Sequence, residues 1–276
     1  MTWAEATGHR IYYEVHGSGG DPTALIHGSW VDHHTWDAVV PGLARSLEMI
    51  VYDRRGHGQS PAAPRQKPVA EDASDLAGVL EAANLYPAHL VAHSYGGAVA
   101  LRLALDRPDL VRSLAIHEPP FYGLLADDPA SAAEGGLLRE EIRDVQQMVR
   151  RGDALGAARR FSERIAGEPG AFDRFPPALQ EQFVAHAPRW AEEFDDPDAF
   201  APDPAALHEL LIPVLLTVGD RSPDVLHRIS LALAHDLRNS RLQPLENVGH
   251  APQFSQPDLY VAVLGTFLLE RNVPST

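Results

Sequence analysis

Short apolar runs alternate with helical patterns along most of the chain. The runs that predict strands cover residues 10–15, 23–26, 49–52, 89–92, 111–116, 213–218 and 240–245. Apolar residues spaced three and four apart predict helices over residues 36–46, 69–84, 98–104, 225–237 and 256–270. Strands that alternate with helices are typical of parallel βαβ units, in which helices cover both faces of one sheet. The pattern therefore predicts an α/β fold with a mostly parallel central sheet flanked by helices.

The alternation stops in the middle of the chain. Residues 119–208 are acidic, helical in pattern and interrupted by prolines, with no convincing strand among them. The strand pattern resumes at residue 213. A helical segment of this length between two core strands is typical of a lid over the strand ends. We therefore expect a core made of residues 1–118 and 209–276, with residues 119–208 forming a helical lid.

The composition narrows the classes of partner. The chain has 276 residues, of which 45% are hydrophobic and 22% charged, so it can bury a large core. Its net charge of −15 opposes binding to nucleic acid or to an anionic membrane, because both are negatively charged. The chain has no cysteine, which excludes disulfides, thiolate catalysis and cysteine-based metal sites.

The first residues do not resemble a targeting segment, so we expect none. Residues 1–5 lack the basic and apolar regions of a secretory signal, and no apolar run approaches the length of a membrane span. We therefore expect a cytoplasmic protein, a monomer or a homodimer, that acts on a small molecule and neither binds nucleic acid nor enters a membrane.

Ser94 lies at a predicted junction between a strand and a helix. The apolar residues 90–92 precede it, and the helix-forming residues 98–104 follow it. The small residues Ala92 and Gly96 stand two positions to either side, where the backbone crowds at a sharp turn. A helix that begins directly behind a serine points free N–H groups and its positive dipole end at any oxyanion formed there. This arrangement indicates a serine nucleophile.

Three further motifs also follow predicted strands. They are His27-Gly28-Ser29-Trp30, the segment 53–60 with the sequence Asp-Arg-Arg-Gly-His-Gly-Gln-Ser, and Gly249-His250 before the last helix. Together with the turn at Ser94, and in this order, they resemble the motifs of the α/β-hydrolase superfamily. The resemblance covers nearly all of the chain outside residues 119–208, and it implies the α/β-hydrolase fold.

The resemblance implies an oxyanion hole beside Ser94. Acyl transfer needs two N–H donors near the oxygen that becomes negative. The family pattern assigns these donors to the backbone amides of Ser29 and Tyr95, with Gly28 beside them. Trp30 is a candidate for lining the substrate pocket, although a partly exposed aromatic side chain on a loop would explain it equally well. The charges of segment 53–60 are expected to orient loops through ion pairs.

The resemblance also implies that His250 is the general base. It is one of 14 histidines, but it alone follows the final strand on a loop that can bend over the Ser94 turn. The chain lacks His-x-His-x-Asp-His and His-Glu-x-x-His spacings, which argues against a metal hydrolase. No metal and no cofactor are expected.

The acid that orients the base has two candidates. Many superfamily members place an aspartate three residues after a glycine that ends the strand following the lid, but the residue three after Gly219 is Ser222. Asp220 is nearby, out of the usual register. Glu118 ends the strand before the lid, where haloalkane dehalogenases and zearalenone-type lactonases carry a glutamate. Neighbouring parallel strands lie about 4.8 Å apart, so a carboxylate on either strand tip can reach the same imidazole. We favour Glu118, with Asp220 as the alternative.

These residues predict a serine hydrolase that cleaves a carboxylic ester or a lactone through an acyl-enzyme intermediate. The serine at position 94 argues against an epoxide hydrolase or a haloalkane dehalogenase, because those enzymes need an aspartate at this turn. A C–C bond hydrolase or a cofactor-free perhydrolase is an alternative, because either uses the same triad of serine, histidine and acid. A non-catalytic ligand receptor on this scaffold is a further alternative.

A shorter similarity links the chain to zearalenone-type lactonases. It covers residues 116–120 and 187–191, and a lid tryptophan in those enzymes contacts a large macrocyclic substrate. The similarity suggests Trp190 as a lid residue that contacts substrate, although an apolar anchor packed into the core would explain it equally well. Tyr122, which follows the candidate acid where the lid begins, is a further candidate for substrate binding.

Overall fold

The centre of the fold is an eight-stranded sheet. The computed structural model describes residues 2–126 and 129–270, including all their side chains except those of 129–137 and 139. The strands are β1 (Thr2–Ala6), β2 (His9–His16), β3 (Pro22–Ile26), β4 (Glu48–Tyr52), β5 (Ala88–His93), β6 (Val111–His117), β7 (Val214–Gly219) and β8 (Ser240–Leu245). Their spatial order is β1-β2-β4-β3-β5-β6-β7-β8, and every neighbouring pair from β4 to β8 is parallel. The prediction of a mostly parallel sheet is confirmed.

Ten α-helices are assigned within the described residues. They are α1 (Val40–Leu43), α2 (Pro68–Ala83), α3 (Tyr95–Asp106), α4 (Pro129–Arg150), α5 (Ala154–Ala166), α6 (Pro177–Glu193), α7 (Pro204–Glu209), α8 (Asp224–Asp236), α9 (Pro252–Ser255) and α10 (Pro257–Leu269). None of the described helices combines the length and the hydrophobicity that a membrane span needs.

The central strands are apolar on both sides because helices cover both faces of the sheet. Successive residues of a strand point to opposite faces. In β5, Leu90 and Ala92 belong to one apolar cluster, together with side chains of α2, α3 and α8. Val91, between them, belongs to a second cluster with side chains of α1 and α10. The carboxyl ends of β3, β5, β6 and β7 therefore lie along one edge of a sheet that is fixed from above and below.

The hairpin at the N-terminus was not predicted from the sequence. Strand β1 pairs antiparallel with β2, which in turn pairs antiparallel with β4. The turn between β1 and β2 consists of Thr7 and Gly8, both with positive φ (50° and 78°). Thr7 is not a residue that favours such a turn, and alanine and glutamate are poor strand formers, so the sequence carried little signal here.

The helix predicted over residues 36–46 is wrong in extent. A 3-10 helix covers His33–Trp36, and α1 covers only four residues, Val40–Leu43. Pro41 lacks the N–H that a continuous helix would need at that position, so the chain starts a new helix there. The other predicted helices agree with the structure to within a few residues at each end.

Between β6 and β7, the described part of the chain is helical, with no strand assigned. We call residues 119–208 the helical insertion. Helices α4, α5 and α6 pack on one another around an aromatic cluster that includes Phe172 and Trp190. The buried Trp30, from the loop after β3, is part of the same cluster. The insertion is therefore packed against the edge where the parallel strands end.

Candidate active site

Ser94 occupies a sharp turn between β5 and α3. Its φ of 52° and ψ of −124° are unfavourable for a residue with a side chain. The turn is held by the Ser94 amide, which donates to the His117 carbonyl at 2.9 Å, and by the Gly97 amide, which donates to the Ser94 carbonyl at 2.8 Å. A Cβ at Gly96 would lie 2.5 Å from the Ile26 carbonyl oxygen, so this position requires glycine. The local sequence thus produces a strained turn with the hydroxyl at its apex.

His250 and Glu118 form a hydrogen-bonded pair near this turn. The Nδ1 of His250 lies 2.6 Å from Oε2 of Glu118. The other oxygen of Glu118 accepts from the Gly219 amide at 2.8 Å, and the side chain is 1% exposed. Glu118 follows β6 directly with a φ of 47°, which turns its carboxylate toward the tip of β7. One carboxylate therefore joins two strand ends to the imidazole.

Asp220, the alternative acid, has a different contact. Its carboxylate accepts from the Val248 amide at 3.2 Å, and the residue is exposed. Its own amide donates to the Leu245 carbonyl at 3.0 Å. These bonds hold the loop that carries His250, while the imidazole itself is paired with Glu118.

The environment of Glu118 keeps its carboxylate ionised. Burial by itself would raise the pKa of the Glu118 carboxyl. The neighbouring His117 and His250 lower this pKa by more than burial raises it, so the net pKa lies well below its usual range. Burial lowers the pKa of His117 to about 4, so this ring is neutral near pH 7. Its Nδ1 lies 2.9 Å from the Thr217 hydroxyl. A buried charge with these partners is suited to orient an imidazole.

His93 supports the loop of His250 from below. Its Nε2 lies 2.7 Å from the His250 carbonyl oxygen, which makes this nitrogen the donor. The two rings are 4.7 Å apart between centroids. Burial lowers the pKa of His93 well below its usual value, so the ring is neutral and acts through hydrogen bonding and packing.

The residues predicted to supply the oxyanion hole lie beside Ser94. Ser29 and Tyr95 line the same small cavity as Ser94 and His250. Gly28 packs so closely on the turn that a Cβ there would lie 3.1 Å from the Cβ of Ser94. Tyr95 is the first residue of α3, where backbone N–H groups have no partner within the helix. The arrangement brings the Ser94 turn, the imidazole–carboxylate pair and the two residues predicted as oxyanion donors to one place.

The cavity is narrow and mostly apolar on the side of the helical insertion. It has room for about one water molecule. The residues that line it are Ser29, Ser94, Tyr95, Glu118, Pro120, Tyr122, Phe161, Ile165, Phe194, Leu226 and His250. Tyr122, Phe161, Ile165 and Phe194 come from the insertion, so this segment forms one wall of the site.

A sequence model described as the alpha/beta hydrolase family matches residues 24–263. The match includes every residue of the site just described. The chain belongs to the alpha/beta hydrolase family. This confirms the resemblance and the fold that were predicted from the four motifs.

Relatives of this hydrolase differ in the reactions that their names describe. A pimeloyl-[acyl-carrier protein] methyl ester esterase of Neisseria meningitidis is 30% identical over 88% of this chain and 91% of its own. A 2-hydroxymuconate semialdehyde hydrolase of Pseudomonas sp. (strain CF600) is 28% identical over 94% of this chain and 91% of its own. The enol-lactonase of Burkholderia xenovorans LB400 superposes with a TM-score of 0.78 at 19% identity, covering 98% of this chain and 100% of its own. The last similarity concerns the fold alone.

In this hydrolase, Arg54 of segment 53–60 holds the loop after β3. The guanidinium is fully buried and donates to the carbonyls of His27 at 3.2 Å and Gly28 at 3.0 Å. It pairs with Asp72 at 2.8 Å and with Glu193 of the helical insertion at 2.6 Å. The ion pairs expected of this segment are therefore present, and they bear directly on the loop that carries Ser29.

The three residues predicted to bind substrate have different positions. Tyr122 lines the cavity. Trp30 and Trp190 are outside the set that lines it, and their ring centroids are 5.1 Å apart within the aromatic cluster. Both are almost completely buried, at 1% and 0% exposure. In this arrangement they act as packing anchors between the core and the helical insertion, the alternative that was weighed for Trp190.

One further group of side chains has the spacing of metal ligands. Asp32, His33 and His34 bring possible ligand atoms within 4.8 Å of one another, and they are the only such group found among the described residues. Asp32 already accepts from the His34 amide at 3.0 Å, and His33 lies 2.7 Å from Asp53. Asp32 therefore caps the 3-10 helix, and His33 is paired with Asp53, so these bonds explain the cluster without a metal ion.

Sequence reasoning missed Glu193 altogether. The residue ends α6 in an acidic stretch, where a glutamate is normally taken as solvated. Its burial depends on Arg54, which lies 139 positions earlier in the chain. No local pattern carries that information.

Proposed function

We propose that this protein is a serine hydrolase that cleaves a carboxylic ester or a lactone through an acyl-enzyme intermediate. The observation that carries the proposal is the 2.6 Å pair between His250 and Glu118 beside the strained turn of Ser94. A buried carboxylate on Nδ1 keeps the proton on that nitrogen, which leaves Nε2 free to accept one. This is the tautomer that a serine nucleophile needs.

In the first half of the reaction, Ser94 Oγ attacks the carbonyl carbon of the substrate while His250 Nε2 takes the hydroxyl proton. The carbonyl π electrons move to oxygen, and the Ser29 and Tyr95 amides stabilise that oxyanion. The tetrahedral intermediate then expels the alkoxide, which takes the proton from the imidazolium. The products of this half are an alcohol and an acyl group on Ser94.

In the second half, His250 removes a proton from a water molecule that attacks the acyl carbon. Ser94 leaves and regains its proton from the imidazolium, which releases a carboxylic acid. For a lactone, the alcohol formed first remains attached to the acyl group, and the product is a hydroxy acid. Glu118 stays ionised throughout, because its pKa lies well below neutrality.

The helical insertion acts as a lid in this proposal. The cavity over Ser94 has room for about one water molecule, which is too little for an ester. We infer that the insertion moves to admit substrate, and that its closure then excludes bulk water from the acyl-enzyme. The apolar wall of Phe161, Ile165 and Phe194 favours an acyl or alcohol group of hydrocarbon character.

The test is acylation of Ser94. Wild type and Ser94→Ala are mixed with p-nitrophenyl acetate, and intact-mass spectrometry is used to detect the acetylated protein. We expect turnover and a transient acetyl adduct in wild type and neither in Ser94→Ala. Wild type that shows neither turnover nor acylation with a series of esters and lactones would refute the proposal and favour a ligand receptor.

A C–C bond hydrolase is the second candidate, favoured by the 28% identical relative named for a semialdehyde. The same triad then acts on a vinylogous diketone or semialdehyde in place of an ester. Cleavage of such a compound, without comparable hydrolysis of any ester or lactone in the series, would support this alternative.

A further inference from the structure

Glu193 is a fully buried carboxylate that the proposed reaction does not use. It is the last residue of α6, and its side chain is 0% exposed. One oxygen accepts from Arg54 Nη2 at 2.6 Å, and the other accepts a hydrogen bond from the hydroxyl of Ser29. The helical insertion thus reaches the oxyanion side of the site through one side chain.

Arg54 extends this contact to both proposed oxyanion donors. The guanidinium group that binds Glu193 also donates to the Gly28 carbonyl, whose peptide carries the Ser29 amide. The same guanidinium lies 4.8 Å from the ring centroid of Tyr95, within range of a cation–π contact. A carboxylate on the insertion is therefore linked to Ser29 and Tyr95, the two residues proposed as oxyanion donors, which both line the cavity.

The contact is made only when the insertion is packed on the core. Arg54 keeps Asp72 as a partner on α2, at 2.8 Å, whether or not Glu193 is present. Ser29 has no second partner of this kind among the described residues, where its hydroxyl hydrogen-bonds to Glu193 alone. Movement of α6 away from the core would leave the guanidinium paired and the Ser29 side chain free to rotate. Because Arg54 has a second carboxylate partner and Ser29 does not, Glu193 matters more for the orientation of Ser29 than for the charge balance of Arg54.

We propose that Glu193 is a positioning residue that holds Ser29, and with it one oxyanion donor, in place only when the helical insertion is closed. The proposal rests on the proposed function, because it assumes that the Ser29 amide stabilises an oxyanion. Closure then completes the site as well as excluding water, which couples substrate enclosure to the onset of chemistry.

Two variants and one control test this role. Ser29→Ala removes the hydroxyl but keeps the amide and all ion pairs of Arg54, so it remains informative even if Glu193→Ala fails to fold. Glu192→Gln is the matched control, because Glu192 neighbours Glu193 on α6 and pairs with Arg189 at 2.7 Å, away from the cavity lining.

The decisive readout is binding of an oxyanion mimic. A trifluoromethyl ketone forms a hemiketal oxyanion with Ser94, whereas the methyl ketone of the same chain largely reports pocket binding. We expect Ser29→Ala and Glu193→Ala, which each remove the contact between these two side chains, to weaken binding of the trifluoromethyl ketone and to lower kcat by about tenfold, since a fully lost donor costs about 10²–10³-fold. Affinity for the methyl ketone and KM should change less than twofold, and the double variant of Ser29→Ala with Glu193→Ala should be no worse than Glu193→Ala.

The outcomes separate this proposal from the proposed function. Wild type that is not acylated at Ser94 would remove the proposed function, and this role with it. Active wild type with a Ser29→Ala variant that matches Glu192→Gln in kcat and in ketone selectivity would overturn the role of Glu193 alone. Equal weakening of both ketones would also overturn it, because that result indicates a purely structural effect.

Discussion

The substitution Glu118→Gln tests the triad through the tautomer of His250. In the structure, the Gly219 amide donates to one oxygen of Glu118 and His250 Nδ1 to the other, at 2.8 and 2.6 Å. The Gly219 amide is a fixed donor, so a glutamine must turn its carbonyl toward it and its NH₂ group toward His250. The imidazole can then bond only by accepting at Nδ1, which places its proton on Nε2, the nitrogen that should accept the proton of Ser94.

The size of the effect follows from the loss of the reactive tautomer. An amide in place of the triad acid with its geometry retained costs about 10⁴-fold in kcat in a comparable triad, or about 5.4 kcal/mol of transition-state stabilisation. Asp220→Asn should keep kcat within about twofold, because an asparagine oxygen can still accept from the Val248 amide, as the aspartate does at 3.2 Å.

The assay is steady-state hydrolysis of a p-nitrophenyl ester, with circular dichroism as a check of folding. We expect Glu118→Gln to be almost inactive and still folded, with Asp220→Asn close to wild type. The reverse result, an active Glu118→Gln and an inactive Asp220→Asn, would refute the assignment of the acid and the tautomer argument together. Loss of activity in both variants would mean that the His250 loop, held by Asp220, contributes as much as the buried carboxylate.

Two further predictions concern stability. Gly96→Ala should destabilise the fold by about 1–3 kcal/mol in urea denaturation and abolish activity, because its Cβ would lie 2.5 Å from the Ile26 carbonyl oxygen; unchanged stability would contradict the crowding argument. The stability difference between wild type and Glu118→Gln should be constant from pH 8 to about 5 and shrink as the pH falls below 4.5, the ordinary pKa of a glutamate. The sign follows because the folded pKa is lowered, so the ionised form stabilises the fold above the unfolded pKa and this contribution is lost toward the folded one. A difference that grows as the pH falls would contradict it.

The sequence predicted best the strands that are buried on both faces of the sheet. β5 and β6 are covered on both faces and therefore read as unbroken apolar runs, and their predicted bounds lie within a residue or two of the structure. β1 is an edge strand that pairs with β2, and its five residues mix the strand formers Thr2 and Trp3 with two alanines and a glutamate, so the strand signal of this short segment is weak. The prediction of one helix over residues 36–46 was wrong because a new helix starts beside Pro41, and the spacing of apolar residues does not reveal this local effect.

The residues of the site also differ in how far the sequence alone could predict them. Ser94 and its small neighbours were readable because the turn imposes its own sequence requirement. The choice between Glu118 and Asp220 needed geometry, since both follow strand ends and only Glu118 turns toward His250, with a φ of 47°. The positions of Trp30 and Trp190 needed the packing of the insertion, because a buried tryptophan and a tryptophan that lines a pocket look alike in sequence.

Three fully buried charges explain why the site depends on distant elements. Glu118, Arg54 and Glu193 are each 0–1% exposed, and an unpaired charge at such a depth would cost several kcal/mol. Each is paired across elements: Glu118 with His250 across 132 positions, and Arg54 with Glu193 across 139. Since no segment can bury its charge alone, the sheet edge, the His250 loop and the helical insertion must be in place together. A misplaced insertion would therefore disturb Arg54 and Ser29 on the oxyanion side, and a displaced donor there would slow the proposed reaction.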